Sequence, residues 1–374
     1  MMRRRVAVNL CVTWLALTAA PGVPSPTLHG QTGAGQAGAA QAGAAQAPVN
    51  KARIVEFFGF RGSREERAAL FMTEDYVQHN PRFLRMDEFT GARGRDAWVQ
   101  SFQEAARRGG IALVALGGIA LRNPVILLAD GDIVHAVYRG VRPDPEQAGR
   151  TYAAFAFESF RVRDGRFAEH WDQVALDAGW MTPPPSRAAG TAPAAPGTAG
   201  GVSLAPAPAA GGTSAAPAAP TAVPALVAAP APIAPPVPQP PAGCAVPGAQ
   251  LVEHRRLALA FLEGAPTRDG VRTRASVLAP GFVEHSPQLV RFNEQRGLSG
   301  RNGFLAAVGE GLLDGTPRDR AIDHVVAECD YVSIVWKQVR PDPDRPGRTW
   351  EHFTFDTVRI AGGQVAERWD SSSL

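Results

Sequence analysis

The pattern of apolar and polar positions along this chain is written twice. Residues 127–172 alternate apolar strand-like runs with polar turns around the segment VRPDP, which begins at Val141. Residues 325–370 repeat the same order, with VRPDP beginning at Val339. Two long copies of one pattern predict a duplicated globular domain rather than a solenoid.

Each copy predicts the same order of elements. In the first copy, helical patterns at 51–60, 64–72 and 95–107 precede strand patterns at 133–139, 151–162 and 167–174. The second copy has matching helical patterns at 251–262, 271–278 and 301–313. Helices followed by an antiparallel meander predict an α+β domain with its helices on one face of the sheet.

The length and the composition predict how the chain is divided. A chain of 374 residues fits two domains, each large enough to bury its own core. The predicted segments are a signal peptide at 1–25, a low-complexity Gly/Ala/Gln segment at 26–48, a first domain at 49–182, a Pro/Ala-rich linker at 183–248 and a diverged second domain at 249–374. The two low-complexity runs are too poor in apolar surface to offset their ordering entropy, so we expect no fixed structure there.

The N-terminus has the pattern of an export signal. Arg3, Arg4 and Arg5 precede an apolar stretch from Val6 to about Ala20, which Pro21 follows. This pattern predicts a periplasmic or secreted protein with no membrane segment after signal removal, and an uncleaved single anchor is the alternative.

The charge and the cysteines narrow the classes of partner. A net charge of +3, with no basic run beyond the predicted signal, disfavours a nucleic-acid-binding protein. Outside the signal, the cysteines are Cys244 in the linker and Cys329 in the second copy. A disulfide between them is compatible with an oxidising compartment, but sequence does not supply the required geometry, and two unpaired thiols are the favoured interpretation.

Strand parity predicts which polar side chains share a face. A period of two places His170 with Asp172, and Glu158 with Phe160, while Trp171 points the opposite way. The corresponding face of the second copy carries four ionisable residues, namely His352, Asp356, Arg368 and Asp370. Because burying unpaired charge is costly, such a face is either solvated or lines a polar pocket.

These motifs carry a family resemblance. The run from Tyr76 to Pro81 reads YVQHNP, Gly94-Arg95 precedes an aromatic helix, and the run from Phe160 to Asp172 reads FRVRDGRFAEHWD. The ordered combination resembles the SnoaL-like polyketide cyclase family over about 50–180, and more weakly over 250–374. The resemblance implies two tandem cone-shaped domains of the nuclear transport factor 2-like superfamily, each a curved antiparallel sheet wrapping N-terminal helices.

The resemblance also implies a site and a chemistry. It implies small-molecule chemistry without metal or cofactor, typically an aldol ring closure with a carboxylate as acid and base. Asp172 falls on the acidic position of the family motif, with His79 beside it as a second catalytic candidate. The ligand-binding candidates are Asn80, His170, Glu158, Tyr76 and Trp98.

Residue chemistry is compatible with that expectation and with a plainer one. Desolvation can raise the pKa of an Asp and make it a competent base, while His and Asn can donate hydrogen bonds to an enolate oxygen. Alternatively, His170 and Asp172 form a hydrogen-bonded pair that only satisfies a buried polar layer. A metal set of His79, His170 and Asp172 is disfavoured, because Arg368 replaces the histidine in the second copy.

The second copy predicts a different role from the first. Its equivalents of the site are His285, Asp356, Arg368 and Asp370. Arg368 beside Asp370 favours an ionised carboxylate that is a poor base, so we expect a binding or pairing domain.

Three functions stay open at this point. The first is an exported cyclase, isomerase or lyase that acts on a small carbonyl compound, and the second is a non-catalytic ligand-binding module. The third is a scaffold whose two copies form an intramolecular pseudo-dimer, with a homo-oligomer as the alternative assembly. A site filled by Phe155, Phe157 or Phe160 would favour the scaffold.

Overall fold

The structure is a computed structural model that describes most of the two copies. It describes residues 33–108, 121, 123–177, 179, 244, 246–263, 268–312 and 320–371, without the side chains of 33–45 and 268–269. The predicted signal peptide and nearly all of the predicted linker lie outside the described residues. In the described part, no helix is long and apolar enough to span a bilayer.

The first copy, called unit one here, packs four helices against a five-stranded sheet. Its elements are α1 (Gly33–Gly59), α2 (Arg64–Phe71), β1 (Met72–Gln78), α3 (Pro81–Thr90), α4 (Gly94–Arg107), β2 (Ile126–Asp130), β3 (Ile133–Pro143), β4 (Thr151–Arg163) and β5 (Arg166–Asp172). The strand order is β1-β5-β4-β3-β2.

The second copy, unit two, repeats this architecture element by element. Its elements are α5 (Gly248–Leu262), α6 (Arg268–Val277), β6 (Leu278–Glu284), α7 (Pro287–Arg296), α8 (Gly300–Gly309), β7 (Ala321–Glu328), β8 (Tyr331–Pro341), β9 (Thr349–Ala361) and β10 (Gln364–Asp370). The strand order is β6-β10-β9-β8-β7. The predicted fold class, two tandem α+β units each with a sheet and N-terminal helices, is confirmed.

Several elements differ from the sequence prediction. Strands β1 and β2 and helix α3 were not expected, nor were their counterparts β6, β7 and α7, and β1 and β6 each pair in parallel with the last strand of their unit. Helix α1 begins at Gly33, inside the Gly/Ala/Gln segment that we expected to be unstructured. The alanines and glutamines of that segment are good helix formers. The prediction was based on the low apolar surface of the segment and did not consider this helix propensity.

Short polar motifs set where the helices begin. Ser63 and Glu66 form a reciprocal capping box at the start of α2. Asn80 caps α3 by accepting hydrogen bonds from the backbone N–H groups of Arg82 and Phe83, and Pro81 occupies the first helical turn. The repeated His-X-Pro motif is therefore a strand-to-helix junction, and it places Asn80 beside the end of β5.

The sheet of each unit has two buried faces. The inner face of unit one packs on its helices through a core that includes Phe57, Phe71, Trp98 and Phe160. The outer faces of both sheets pack against each other in one shared cluster. This cluster contains Ile126, Leu128, Ile133, Val137, Phe155, Phe157, Trp171, Val326, Tyr331, Val335, Phe353, Phe355 and Trp369.

The contacts between the two sheets are reciprocal. His79 stacks on Trp171 with ring centroids 4.7 Å apart and meets the edge of Phe353 at 5.6 Å. The equivalent His285 stacks on Trp369 at 4.6 Å and meets Phe155 at 6.0 Å. Such pairwise exchange is the signature of an isologous interface, here between two halves of one chain.

The repeated VRPDP loops reach across to the other unit. Asp342 of the second loop accepts hydrogen bonds from Arg85 of α3, and Asp144 of the first loop pairs with Arg291 of α7. The VRPDP motif, whose repetition indicated the duplication in the sequence, thus lies where the two units contact each other.

Unit two also contains a disulfide, so the favoured interpretation of two unpaired thiols is wrong. Cys244 and Cys329 are bonded, with Cα atoms 5.9 Å apart. Cys329 lies in the turn before β8 with φ of 57°. This turn faces the start of α5. The two cysteines are 85 residues apart in the sequence, so their proximity could not be predicted from local patterns.

Candidate functional site

Three ionisable side chains meet on the inner face of unit one. Asp172 lies directly opposite Glu158 across β4 and β5, and His170 lies opposite Phe160. Their exposed fractions are 2% for Glu158 and Asp172 and 8% for His170. One donor atom from each of the three lies within 4.8 Å of the others. Strand parity predicted this grouping correctly.

Asn80 connects the cap of α3 to Asp172. Its Oδ1 accepts from the N–H groups at the start of α3, so its amide nitrogen faces away and donates to Asp172 Oδ2 at 2.8 Å. The other oxygen of Asp172 accepts from the backbone N–H of Val174 at 3.0 Å. A helix cap therefore holds the carboxylate in one orientation.

Gln78, which the sequence prediction missed, bonds to His170. Its Nε2 lies 2.8 Å from His170 Nδ1, and its Oε1 accepts from the backbone N–H of Asn80 at 3.1 Å. His170 Nε2 in turn bonds to Glu158 Oε2, and the imidazole stacks on Phe160 at 4.2 Å. Gln78 belongs to the quoted QHNP motif, and parity with Tyr76 on β1 would have placed it on the inner face.

Burial drives the protonation states of the three groups apart. Burial raises the pKa of Glu158 well above its ordinary value. Burial and the adjacent Glu158 raise the pKa of Asp172 to about 6, against the opposing effects of His170 and the hydrogen bonds to its carboxylate. Burial also lowers the pKa of His170 to about 4. Burial thus raises the pKa values of both carboxyl groups and lowers that of the imidazole, so each of the three groups is shifted toward its uncharged form.

Two tyrosine hydroxyls complete the inner face. Tyr76 and Tyr138 are 3% and 1% exposed, and neither hydroxyl has a hydrogen-bond partner in the described part of the chain. Burial raises both pKa values well above 10, and the charges of Asp172 and Glu158 raise that of Tyr76 further, so both phenols stay protonated. A buried donor without a partner costs about 1–3 kcal/mol, which an acceptor on a ligand would offset.

Small side chains line the sheet beside Glu158. Ala136 lies opposite Glu158 on β3, and Ala154 and Ala156 precede it on the same face of β4. The equivalent positions in unit two are larger, namely Ile334, His352 and Thr354. The strands of unit one therefore place less side-chain volume around their carboxyl pair than those of unit two.

Two predicted site residues lie elsewhere. The structure places His79 on the outer face, where its Nε2 bonds to Glu169 at 3.1 Å, so it does not converge with Asp172. Trp98 packs in the core against Phe57 and Phe102, where it supports the inner face. Tyr76, Asn80, Glu158, His170 and Asp172 do come together.

Unit two replaces this cluster by ion pairs. Arg368, at the position of His170, donates to Asp356 and Asp370 at 2.7 and 2.8 Å and to Glu284 at 3.2 Å. Asp356 also accepts from Trp336 Nε1 at 2.8 Å. Burial would raise the pKa of Asp356, but Arg368 and Arg320 outweigh it and hold that pKa below its ordinary value.

Other second-copy candidates take different places. His285 lies on the outer face, as His79 does, and bonds to Glu367 at 3.1 Å. His352 is buried, and burial lowers its pKa to about 4. The inner face of unit two is thus occupied by Arg368 and its three carboxylates.

The donor set of unit one suits proton transfer better than metal binding. A set of two carboxylates and one imidazole is compatible with several divalent metals. Both ring nitrogens of His170 are already engaged, however, one by Gln78 and one by Glu158. A cation at His170 would have to break one of these hydrogen bonds.

The chain matches no protein-family model and no curated protein sequence. Its similarity is to solved structures, over about the length of one unit. One, described as a SnoaL-like polyketide cyclase from Jannaschia sp. CCS1, is 19% identical, with a TM-score of 0.26, over 34% of this chain and 90% of that chain.

Two further solved structures have related descriptions. One described as a polyketide cyclase from Streptomyces antibioticus is 20% identical, with a TM-score of 0.23, over 31% of this chain and 89% of that chain. One described as a ketosteroid isomerase from Kribbella flavida is 14% identical, with a TM-score of 0.22, over 32% and 78%. These descriptions agree with the resemblance in the sequence.

Proposed function

We propose that unit one binds a small carbonyl-containing molecule on the inner face of its sheet and performs acid/base chemistry on it, as a cyclase, isomerase or lyase. The observation that supports this most is the buried pair Asp172 and Glu158, which face each other across β4 and β5 and whose pKa values are both raised by burial. Carboxyl groups whose pKa values are raised in this way are suited to serve as a base and an acid in one site.

The proposed step moves one proton in each direction. The Asp172 carboxylate removes a proton from the carbon beside the carbonyl, and the electron pair of that C–H bond forms the enolate. Glu158 donates its proton to the enolate oxygen, or holds it by a hydrogen bond, with Tyr76 and Tyr138 as further donors. Positioned acid/base groups of this kind contribute about 10²–10⁴-fold to a rate.

The small side chains of the sheet support unit one as the binding unit. Ala136, Ala154 and Ala156 place less side-chain volume beside Glu158 than Ile334, His352 and Thr354 place beside Asp356. Phe155 and Phe157 point to the interface with unit two, and Phe160 alone of the three phenylalanines considered above lies on the inner face. Of the three rings, Phe160 therefore occupies part of the site, where it stacks on His170, and the other two do not.

We also propose that the protein is exported. The N-terminal pattern lies outside the described residues, but the disulfide supports the proposal, because disulfides persist in oxidising compartments and are rare in the cytosol. Recovery of the protein only in the cytosolic fraction, with both thiols reduced, would contradict it. The pairing of the two units in solution and any homo-oligomer stay predictions.

A thermal-shift screen of the full chain against small carbonyl, phenolic and polycyclic compounds tests the function. A true ligand raises the melting temperature of the wild type and of Asp370→Asn, the matched change in unit two. It should not stabilise Asp172→Asn, or Ala136→Ile, which places the side chain of unit two beside Glu158. Stabilising compounds are then assayed for turnover.

Two outcomes would contradict the proposal. In one, no compound shifts the wild type, and Asp172→Asn merely changes the melting temperature without ligand dependence; the cluster then serves stability alone. In the other, Asp370→Asn abolishes a ligand shift that Asp172→Asn retains, which would assign the site to unit two.

A further inference from the structure

Gln78 has only one orientation that satisfies its neighbours. Its Oε1 accepts from the backbone N–H of Asn80 at 3.1 Å. Rotating the side-chain amide by half a turn would place its NH₂ group against the backbone N–H of Asn80. Both groups are donors, so no hydrogen bond could form between them. The amide nitrogen of Gln78 must therefore face His170.

This orientation determines where His170 carries its proton. The Gln78 Nε2 is a donor, so the His170 Nδ1 that lies 2.8 Å away must be the acceptor. A neutral imidazole that accepts at Nδ1 carries its hydrogen on Nε2. That nitrogen faces Glu158 Oε2, so His170 donates to Glu158. All hydrogen bonds in the chain from Asn80 to Glu158 thus point in one direction.

Unit two has the opposite polarity at the same two positions. Glu284 replaces Gln78 and accepts from the backbone N–H of Ser286 at 2.9 Å, as Gln78 does from Asn80. Its second oxygen accepts from Arg368 at 3.2 Å. In unit one the amide nitrogen of Gln78 donates to His170, whereas in unit two the carboxylate of Glu284 accepts from Arg368.

We propose that Gln78 is a positioning residue that holds His170 in the neutral form protonated on Nε2, and that it thereby fixes which oxygen of Glu158 carries the acidic proton. Because Glu158 Oε2 accepts from His170, the proton of a neutral Glu158 lies on Oε1. The tautomer is a property of the free protein, while its catalytic consequence rests on the proposed function.

The tautomer can be read directly from the long-range proton–nitrogen correlation spectrum of the isotope-labelled full chain at neutral pH. His170→Gln identifies the signals of His170 by their loss. We expect the wild type to show a protonated Nε2 and an unprotonated Nδ1. In Gln78→Glu, the new side chain can only accept once its carboxyl group is ionised, so at mildly alkaline pH Nδ1 becomes protonated, either in the other tautomer or in the imidazolium.

The control is Gln147→Glu, the same chemical change in a loop where Gln147 Oε1 accepts from Arg150; it should leave the His170 signals unchanged. A wild-type His170 protonated on Nδ1 would overturn the proposal, even if Gln78→Glu failed to fold. Identical His170 signals in Gln78→Glu and the wild type at mildly alkaline pH, where the new carboxyl group is ionised, would overturn it too. Failure of the proposed function is separate, because it appears as the absence of ligand stabilisation whatever the tautomer.

Discussion

Units one and two have the same strand order and use it to bury different charges. In unit one the inner face holds a neutral histidine between an amide and a carboxyl group. In unit two, Arg368 at the same place is surrounded by three carboxylates. The comparison teaches that an arginine in place of the histidine on this strand lowers the pKa of the carboxyl group that faces it, whereas burial raises that pKa in unit one.

The physical reason is that arginine keeps its charge while histidine does not. A permanent guanidinium charge stabilises ionised carboxylates, and the pKa of Asp356 is accordingly lowered despite its burial. No arginine or lysine in the described part of the chain pairs with the equivalent Glu158, and burial raises its pKa. A carboxyl group that is easily protonated can act as an acid, whereas one held ionised by arginine cannot.

The largest expected effect is the loss of Arg368. In Arg368→Met, Glu284, Asp356 and Asp370 lose a buried countercharge, and we expect the free energy of unfolding to fall by about 3–5 kcal/mol. Burial already raises the pKa of Glu284 to about 7 against the opposing effect of Arg368, so removing the cation raises it further above the value of the unfolded chain. The stability of the variant should therefore improve as the pH falls, which urea denaturation at mildly acidic and mildly alkaline pH measures.

The matched change in unit one should cost less. His170→Met removes a neutral side chain and its bonds to Gln78 and Glu158, at a cost of about 1–3 kcal/mol. Equal losses in the two variants, or an Arg368→Met protein that becomes more stable as the pH rises, would contradict the difference drawn between the units.

A smaller effect concerns the side chains beside the carboxyl pairs. Ile334 is fully buried opposite Asp356, so Ile334→Ala should lower the free energy of unfolding by about 2–4 kcal/mol. The reverse change in unit one, Ala136→Ile, should cost less than about 1 kcal/mol if unit one has room beside Glu158. Chemical denaturation of both variants checks this, and a loss of about 1–3 kcal/mol in Ala136→Ile would indicate an overpacked wall without room.

The sequence predicted the architecture better than the site. Duplication and strand parity were enough for the fold class and for the grouping of Glu158, His170 and Asp172, because both follow from local periodicity. The position of His79 was not predictable in this way. It follows β1, whose parallel pairing with β5 is a long-range contact that places the His79 ring on the outer face.

The same limit applies to contacts between the units. The VRPDP loops were visible as a repeat, but their partners Arg85 and Arg291 lie on helices of the other unit. Gln78 was visible within a quoted motif, yet its role depends on a backbone N–H and an imidazole that only the folded chain brings together.

The smallest expected effect concerns one turn in each unit. Gly131 has φ of 62°, and its counterpart Cys329 has φ of 57°, a left-handed conformation that costs a residue with a side chain about 1 kcal/mol. A Cβ at Gly131 would meet no atom within 4 Å, so Gly131→Ala should lower the stability of unit one by about this backbone cost alone. Cys329→Gly and Cys329→Ala both remove the disulfide, and the glycine variant should be the more stable by about 1 kcal/mol. Equal stability of those two variants in urea denaturation would show that the disulfide, and not the turn, accounts for what Cys329 contributes to unit two.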